Sequence, residues 1–308
     1  MTNYLAKRAG QMVLTLFLIV TLTFFLVQAQ PGDYATFYAL NPDLPAEVRA
    51  QIKESFGLDK PLWEQYLIHM KNTFTGNFGV SFGHFPRPVI EVLAERLPRT
   101  AVLFLTATAA SFYIGFFLGK AIAWRRGGVL EYAATISGAT LFTAFTPAFG
   151  LMMIWIFAFK LGWLPVGKFL DPLHMILPIV TLTLISFAGT MLLTRNSMLE
   201  TMREDYVMAA RAKGLPEKVV RDRHAARNAL LPVVTSLVYS LIFAIDGSVI
   251  IEAVFSWPGT GMTLLDAVRS EDLPLVMGAM MFIGLFSLLA HVIVDVLYVY
   301  LDPRIRYQ

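Results

Sequence analysis

The chain has 308 residues, of which 56% are hydrophobic and 15% are charged, and it contains no cysteine. A soluble domain carries about a quarter charged residues, so this balance indicates a protein of the lipid bilayer. The missing cysteine excludes disulfides, cysteine metal sites and thiol nucleophiles. The net charge of +3 gives little support to nucleic-acid binding, because basic residues in a membrane protein usually mark its cytoplasmic side.

Six stretches are apolar and long enough to cross the hydrocarbon core, which takes about 20 helical residues. The first could be a signal peptide, since Lys7 and Arg8 precede it, but its apolar run is long for a signal core and we expect a membrane helix. The sequence therefore predicts an all-α membrane protein with six transmembrane helices. The predicted spans are Gln11–Val27, Arg99–Trp124, Tyr132–Phe159, Leu173–Thr194, Leu230–Ile251 and Leu275–Tyr300.

The long segment between the first two spans is expected to form a small helical insertion outside the membrane. Gly57 and Pro61 mark a stop and a restart between two amphipathic helices, and "TGNFGVSFGHFPRP" after them is typical of a loop. The predicted organisation is an N-terminal transmembrane helix at 1–30, the insertion at 31–98 and a five-helix core at 99–308.

Glycine and proline punctuate the predicted spans. Gly115 and Gly119 form a G-x-x-x-G pattern, which lets helices approach closely. We expect this pattern to serve packing within the chain, with a dimer face as the alternative. Pro147 and Pro178 lie in the third and fourth spans, and Pro232 lies at the start of the fifth.

A basic, alanine-rich segment follows the fourth span, and we call residues 195–229 the elbow. The pattern predicts a helix that continues from the fourth span to Ala212, a C-terminal cap at Gly214, and a second helix with Pro216 in its first turn that ends near Arg227. The pattern alone leaves two interpretations open. The elbow is either a solvated loop or a short helix presented to a groove on a partner protein.

The distribution of lysine and arginine predicts the orientation of the chain. With the N-terminus inside, the inner segments carry 15 of the 25 basic residues, and eight of these are in the elbow. The short outer loops carry only Lys160, Lys168 and Arg269, and the long insertion is largely exempt from the rule. Both termini and the elbow are therefore expected in the cytoplasm.

Two short motifs suggest chemistry but lack its context. "GVSFG" at 79–83 matches G-x-S-x-G, yet Pro86 and Pro88 prevent the helix that must follow a nucleophile. "GWLPVGKF" at 162–169 matches most of a P-loop, yet Phe169 replaces the hydroxyl residue that would bind magnesium. The five histidines do not converge with carboxylates at ligand spacing. We predict no catalytic residue, no metal site and no cofactor in this chain.

Asp246 is the ionisable residue predicted well inside a span. Glu252 lies at the outer end of the same segment, and Asp295 lies near the cytoplasmic end of the sixth span. Charges within the membrane usually face a bundle interior or an aqueous cavity. Asp246 is therefore a candidate for a translocation pathway, and pairing with another helix is the alternative.

Several motifs together resemble one family. "MAARAKG" at 208–214, followed by "RHAARNALLPVV" at 223–234, resembles the EAA loop of binding-protein-dependent ABC importer permeases, in the version of the dipeptide, oligopeptide and nickel permeases. Met208 stands where the general pattern has glutamate, as in the peptide subfamily. Further segments resemble the same family in order: "QPGD" (30–33), "FGLDKPLWEQYL" (56–67), "GNFGVSF" (76–82), "ERLPRTAVL" (95–103), "EAVFSWPGTG" (252–261) and "LDPRIR" (301–306).

The resemblance implies the type I ABC importer permease fold in the cell inner membrane. It implies as partners a second homologous permease, two ABC ATPase subunits that bind ATP and magnesium, an extracytoplasmic substrate-binding protein, and membrane lipid. The elbow would be the coupling helix, and the loop after the fifth span would face the binding protein. The implied coupling residues are Ala209, Ala210, Arg211, Gly214, Leu215, Pro216, Glu217, Val220 and Arg221, and the implied binding-protein contacts are Phe255, Trp257, Pro258 and Gly259.

The resemblance makes peptides the expected cargo, with nickel chelates and oligosaccharides as alternatives on the same scaffold. A secondary transporter driven by an ion gradient predicts inverted repeats and several charges at the midplane. The sequence shows no such repeat and only Asp246 at partial depth. A membrane-embedded enzyme would need paired catalytic groups, which the sequence also lacks.

Overall fold

The computed structural model describes residues 2–29, 46–57, 59–125, 127–246 and 248–301. The regular secondary structure of these residues is helical, and they contain no strand apart from one isolated bridge between Val80 and Pro88. The predicted all-α class is confirmed to this extent. The helices are α1 (Thr2–Gln28), α2 (Ala46–Phe56), α3 (Leu62–Phe74), α4 (Val89–Trp124), α5 (Val129–Phe142), α6 (Thr146–Ile154), α7 (Pro172–Thr201), α8 (Asp205–Ala212), α9 (Glu217–Val219), α10 (Ala226–Asp246), α11 (Ser248–Val254), α12 (Thr260–Arg269) and α13 (Leu273–Leu301).

Three helices in the described residues are long and apolar enough to cross a membrane: Val89–Trp124, Pro172–Thr201 and Leu273–Val292. Gly10–Leu26 within α1 is a shorter apolar helix. A fourth crossing results if α5 and α6, with the π-helical turn Trp155–Lys160 that extends α6, count as one broken span. The chain is a multi-pass membrane protein, and the count of six spans stays a prediction.

The span predicted over Tyr132–Phe159 is not one continuous helix, because α5 and α6 are bent by 105° at their junction. Pro147 lies in the first turn of α6. It has no N–H to donate to the carbonyl of Thr143, and its ring would clash with that carbonyl in a continuous helix. Proline is accommodated without such a break inside α4, α7 and α10, at Pro98, Pro178 and Pro232.

The second elbow helix also differs from its expectation, because it does not end near Arg227 but continues into the fifth predicted span. The backbone is helical from Glu217 through the π-helical turn Val220–Ala225 and on to Asp246. The helix that enters the elbow is predicted to continue to Ala212. It ends earlier, since α7 ends at Thr201 and a separate helix, α8, begins at Asp205. The elbow is therefore one short helix, α8, between two long ones.

The described residues divide into two compact units. The described residues within 2–99 and 259–292 form the first unit, and those within 100–258 and 293–301 form the second. The predicted domain boundaries at 1–30, 31–98 and 99–308 stay predictions. Two of the recognised motifs, "QPGD" and all of "LDPRIR" except Leu301, lie outside the described residues.

The first unit contains the two predicted insertion helices, α2 and α3. Gly57 has a φ of +62° between them, and Pro61 precedes α3, as the sequence predicts. The start of α4 packs with α12 and α13 around a core that includes Val92, Leu93 and Leu275.

Close helix packing in the second unit depends on the two glycines of the G-x-x-x-G pattern. A Cβ on Gly119 would lie 2.5 Å from the carbonyl oxygen of Met191, and one on Gly115 would lie 2.7 Å from Cβ of Thr190. Any side chain at either position would force α4 away from α7. The expectation that this pattern serves packing within the chain is confirmed.

Candidate functional site

The backbone of the elbow turns sharply after α8 at a glycine. Gly214 has a φ of +77°, and its N–H donates to the carbonyl of Arg211 at 2.9 Å. The N–H of Leu215 reaches back to the carbonyl of Ala210 at 3.4 Å. This pair of bonds is the Schellman arrangement, which satisfies the last carbonyls of a helix. The predicted cap at Gly214 is confirmed, and Pro216 lies one residue before α9.

A small apolar core holds the turn in place. Val207, Ala210 and Val220 are buried together, and Trp124 at the end of α4 packs against them. Arg211 places its guanidinium carbon 5.4 Å from the centre of the Trp124 ring and donates from Nε to Glu217 at 3.1 Å. The elbow therefore contains its own packed core, completed by a side chain from another helix.

Alanines form the seam between the elbow and the long helices. Ala225, Ala226 and Ala229 are buried against Ala123 of α4 and Met198 of α7. Such small side chains let helix backbones come close. Ser197 fixes the contact with a hydrogen bond from its hydroxyl to the carbonyl of Ala229 at 3.0 Å. The alanine-rich composition of "RHAARNALLP" is explained by this packing.

Ion pairs connect the elbow to α4. Asp222 accepts hydrogen bonds from Arg221 at 2.9 and 3.0 Å, and Nζ of Lys120 lies 3.3 Å from its Oδ1. The hydrogen bonds from Arg221, followed by the contact with Lys120, lower the pKa of Asp222 to about 2. Lys120 also lies 4.8 Å from the ring centre of Phe117. Asp222 thus stays ionised at every physiological pH.

A second ion pair connects α5 to α7 at the root of the elbow. Glu131 is buried and accepts from the guanidinium of Arg195, with the Nε contact at 3.0 Å. Its other oxygen accepts from the backbone N–H of Gly127 at 2.6 Å. A buried carboxylate needs such complete pairing, because an unpaired charge in this position would cost several kcal/mol, about 3–5.

The structure divides the nine predicted coupling residues into two groups. Ala210 and Val220 are buried and shape the elbow, and Arg221 is half-buried. Ala210 and Val220 cannot contact a partner directly in this conformation, because their side chains are buried. The exposed members are Ala209, Arg211, Gly214, Leu215, Pro216 and Glu217.

Sequence reasoning missed four residues of this region. Tyr206 and Met208 are exposed apolar side chains on α8, and the periodicity of that helix could have indicated them. Trp124 and Lys120 come from α4, about 90 residues earlier in the chain. No local signal in the sequence connects these two with the elbow.

The loop predicted to contact a binding protein is largely interior. Phe255 and Trp257 have 0% of their surface exposed, Gly259 is buried and Pro258 is half-buried. The backbone at Gly167 approaches so closely that a Cβ there would lie 2.3 Å from the carbonyl oxygen of Phe255. The outward-facing role expected for Phe255 and Trp257 is therefore not supported by their burial.

A buried carboxylate also lies next to this loop. Glu252 has 0% exposure and accepts a hydrogen bond from the hydroxyl of Thr100 at 2.7 Å. The N–H of Trp257 donates to the backbone carbonyl of Glu252 at 2.7 Å. Glu252 therefore belongs to the packed interior of the second unit.

The G-x-S-x-G motif is followed by turns and not by the helix of a nucleophile elbow, although Oγ of Ser81 lies 3.1 Å from Nδ1 of His84. Ser81 is fully buried and donates from Oγ to Oδ2 of Asp272 at 2.5 Å, while the N–H of Gly83 donates to the same oxygen at 3.0 Å. The other oxygen of Asp272 accepts from the N–H of Leu275 in the first turn of α13. Asp272 thus binds the serine hydroxyl directly and fixes a turn.

Two predictions remain, the absence of a metal site and the pathway role of Asp246. Among the described residues no three histidine or acidic side chains converge as metal ligands. Asp246 is the last residue of α10, but its side chain lies outside the described residues. Its predicted pathway role therefore stays a prediction.

Comparison with known proteins decides the family. The family described as "Binding-protein-dependent transport system inner membrane component" matches residues 99–307, and the N-terminal family of the same systems matches residues 1–104. This chain belongs to the binding-protein-dependent transport system inner membrane components. The family predicted from the motifs of the sequence is confirmed.

Two curated relatives cover the full chain. The dipeptide transport system permease protein DppB of Lactococcus lactis subsp. cremoris is 36% identical over 99% of this chain and 100% of its own length. The glutathione transport system permease protein GsiC of Escherichia coli K12 is 36% identical over the whole of both chains. The permease described here is thus similar to these transport proteins from end to end.

Proposed function

We propose that this permease forms half of the translocation pathway of an ATP-driven importer for peptides. The observation that carries the proposal is its end-to-end similarity to one dipeptide and one glutathione permease. Glutathione is itself a small peptide, so both names indicate the same cargo class. Neither name gives support to nickel chelates or oligosaccharides, which remain the alternative cargoes.

The proposed topology has six spans, with residues 31–98 outside and both termini and the elbow in the cytoplasm. The apolar helices α4, α7 and α13 and the basic residues of the elbow support this arrangement. Residues 1–30 then supply the first span, and residues 99–308 the five-helix core.

The proposed partners are a second homologous permease, two ABC ATPases that hold ATP and magnesium, and an extracytoplasmic binding protein. The family description, with its dependence on a binding protein, supports the last of these. The permease then needs no cofactor and hydrolyses nothing itself. ATP hydrolysis in the partner subunits would supply the free energy for transport.

The exposed face of the elbow is the proposed ATPase-docking surface. Met208, 52% exposed, and Leu215 project apolar side chains beside the charged Arg211 and Glu217. Such a short helix with an apolar tip fits a groove on a partner. The packed core at Trp124 and the alanine seam would then pass any displacement of α8 directly to α4, α7 and α10.

The outer loop and Asp246 complete the proposal. Binding-protein contact through the loop at 255–259 would use its exposed and half-exposed parts, Ser256 and Pro258, with Phe255 and Trp257 as their buried support. Asp246 is retained as a pathway residue on its predicted depth alone.

Reconstituted vesicles test the proposal. The permease is purified with its co-purifying subunits and placed in vesicles with ATP inside or outside, and uptake of a labelled dipeptide is measured with ion gradients dissipated. Uptake that requires ATP, the binding protein and two ATPase subunits is the expected result. In parallel vesicles with an imposed ion gradient and no ATP, uptake that follows the gradient would overturn the importer and restore the secondary transporter.

A further inference from the structure

One face of α3 is apolar and exposed. Trp63, Leu67 and Phe74 are exposed by 62%, 54% and 54%. Their spacing of four and seven residues places them on one side of the helix. A helix in water normally turns such a stripe toward protein. The stripe of α3 is therefore a surface that needs an apolar environment.

The other faces of α3 pack against α1 and against the turn after α2. The hydroxyl of Tyr66 lies 2.9 Å from that of Thr21 on α1, and the rings of Tyr66 and His69 lie 5.4 and 5.6 Å from the ring of Phe24. Ile68 fills the turn after α2, where a Cβ on Gly57 would lie 2.7 Å from its methyl group. The exposed stripe is what remains after these contacts.

The contact with α1 fixes the depth of α3. Thr21 lies within the apolar helix Gly10–Leu26, five residues before its end. At 1.5 Å per residue, Thr21, and with it the hydroxyl of Tyr66, lies about 8 Å from that end along α1. Helices in the membrane interface bury their apolar face by about 5–10 Å. The contacts of Tyr66 with α1 thus hold α3 beside the outer end of the apolar segment, within the depth that an interfacial helix occupies.

The stripe is also continuous with the apolar surface of α1. Phe25 is 51% exposed and stacks on Tyr66 with 6.2 Å between ring centres, and Leu22 is exposed one turn before it. Tyr66 joins these residues to the stripe, so both apolar surfaces face the same surroundings. Leu22 and Phe25 belong to the apolar segment Gly10–Leu26, so on a membrane-spanning α1 their exposed side chains lie at the depth of hydrocarbon.

We propose that Trp63, Leu67 and Phe74 form a lipid-contact surface and that α3 lies in the outer leaflet as an interfacial helix. Trp63 then lies at the headgroup level, where tryptophan is favoured, and the exposed Lys71 reaches toward lipid phosphate. This inference rests on the proposed function only in that α1 spans the membrane. It makes α3 a second membrane anchor for the insertion.

Nitroxide labels at single cysteines test the inference, because the chain has no cysteine of its own. Trp63→Cys, Leu67→Cys and Phe74→Cys are labelled one at a time in the assembled importer in phosphatidylcholine and phosphatidylglycerol vesicles. Collisions with oxygen, which dissolves in lipid, are compared with those of a water-soluble nickel chelate. Leu22→Cys is the lipid-facing control, and Lys53→Cys on α2 is the water-facing control.

The expected result is oxygen accessibility at 63, 67 and 74 that is several-fold above that at 53 and close to that at 22, with little access for the nickel chelate. Access for the chelate at all three stripe positions, with position 22 in lipid, would overturn the lipid contact. Protection from both probes would also overturn it and would assign the stripe to a protein partner. If position 22 itself is in water, α1 does not span, and the inference falls together with the proposed topology.

Discussion

The guanidinium group of Arg211 lies over the ring of Trp124, with 5.4 Å between its central carbon and the ring centre. The same group donates to Glu217 across the turn at Gly214. One side chain thus touches both arms of the elbow and the end of α4. This arrangement connects the elbow to the end of α4, and it leads to predictions that separate this packing from partner contact.

Replacing Trp124 with alanine is expected to loosen the elbow. The change removes the ring that packs on Val207, Ala210 and Val220, and loss of a packed tryptophan costs up to about 3–5 kcal/mol. Retention of ATPase subunits during purification should therefore fall, and peptide uptake with it. Trp163→Ala is the matched control, because that tryptophan is 69% exposed and lies outside the elbow. Equal ATPase retention in both variants would contradict the anchoring role of Trp124.

Substitutions at Gly214 are expected to act through the backbone alone. Its φ is +77°, and no atom lies within 4 Å of an added Cβ, so the cost comes from the left-handed conformation, about 1–2 kcal/mol for most residues. Gly214→Val should reduce uptake and ATPase retention most, Gly214→Ala less, and Gly214→Asn least, since asparagine tolerates this conformation.

Gly76 offers a control for backbone strain. Its φ is +75°, and the space beside it is also open, but it lies after α3. Gly76→Val should cost similar stability in a thermal assay and leave ATPase retention unchanged. A loss of ATPases in Gly76→Val as large as in Gly214→Val would show that general destabilisation causes the effect.

The ion pairs of Asp222 are expected to be insensitive to physiological pH. Its pKa is lowered from 3.8 to about 2, so its contribution to stability is complete above about pH 4 and is lost as the pH falls toward 2. ATPase retention in the wild type should show no step from Asp222 between pH 5 and pH 9. Asp222→Asn should lower retention equally across that range.

A double-mutant cycle measures the contact between Asp222 and Lys120. Because Asp222 is about a third exposed, the coupling free energy should be small, about 0.2–1 kcal/mol. Lys120→Met should then cost about 0.2–1 kcal/mol less in the Asp222→Asn background than in the wild type. Fully additive losses would show that the 3.3 Å contact contributes nothing.

Features set by local chemistry could be predicted from the sequence. The turn at Gly214 follows from a glycine after a helix, and the break between α2 and α3 follows from Gly57 and Pro61. Both depend on backbone preferences of a few neighbouring residues. The family could be predicted for a different reason, since its motifs recur in order along nearly the whole chain.

Features set by contacts between distant residues could not be predicted. Pro147 interrupts a helix, whereas Pro98 and Pro178 do not, and the local rule is the same for all three. The burial of Trp257 depends on Phe169, whose ring meets it edge-on at 5.1 Å from about 90 residues earlier. A loop rich in aromatic residues and glycine has the composition of an exposed contact loop, and only the fold reveals its position.

Substitution of Trp257 therefore tests whether this residue packs in the core or contacts the binding protein. As a fully buried residue of the second unit, it should cost about 3–5 kcal/mol when changed to alanine, and the thermal stability of the purified importer should fall. Phe169→Ala, which removes its edge-on partner, should lower stability in the same direction by a smaller amount. Pro258→Ala, at a half-exposed position next to it, should leave stability nearly unchanged.

The response to the binding protein separates the two roles. Peptide uptake by the folded fraction of Trp257→Ala is measured as the concentration of binding protein is raised. If Trp257 acts by packing, the concentration of binding protein that gives half-maximal uptake should be unchanged. If its side chain contacts the binding protein, stability should stay at the wild-type level and the half-maximal concentration should rise several-fold. The second outcome would require the loop to open and expose Trp257 during transport, because the side chain has no exposed surface in this conformation.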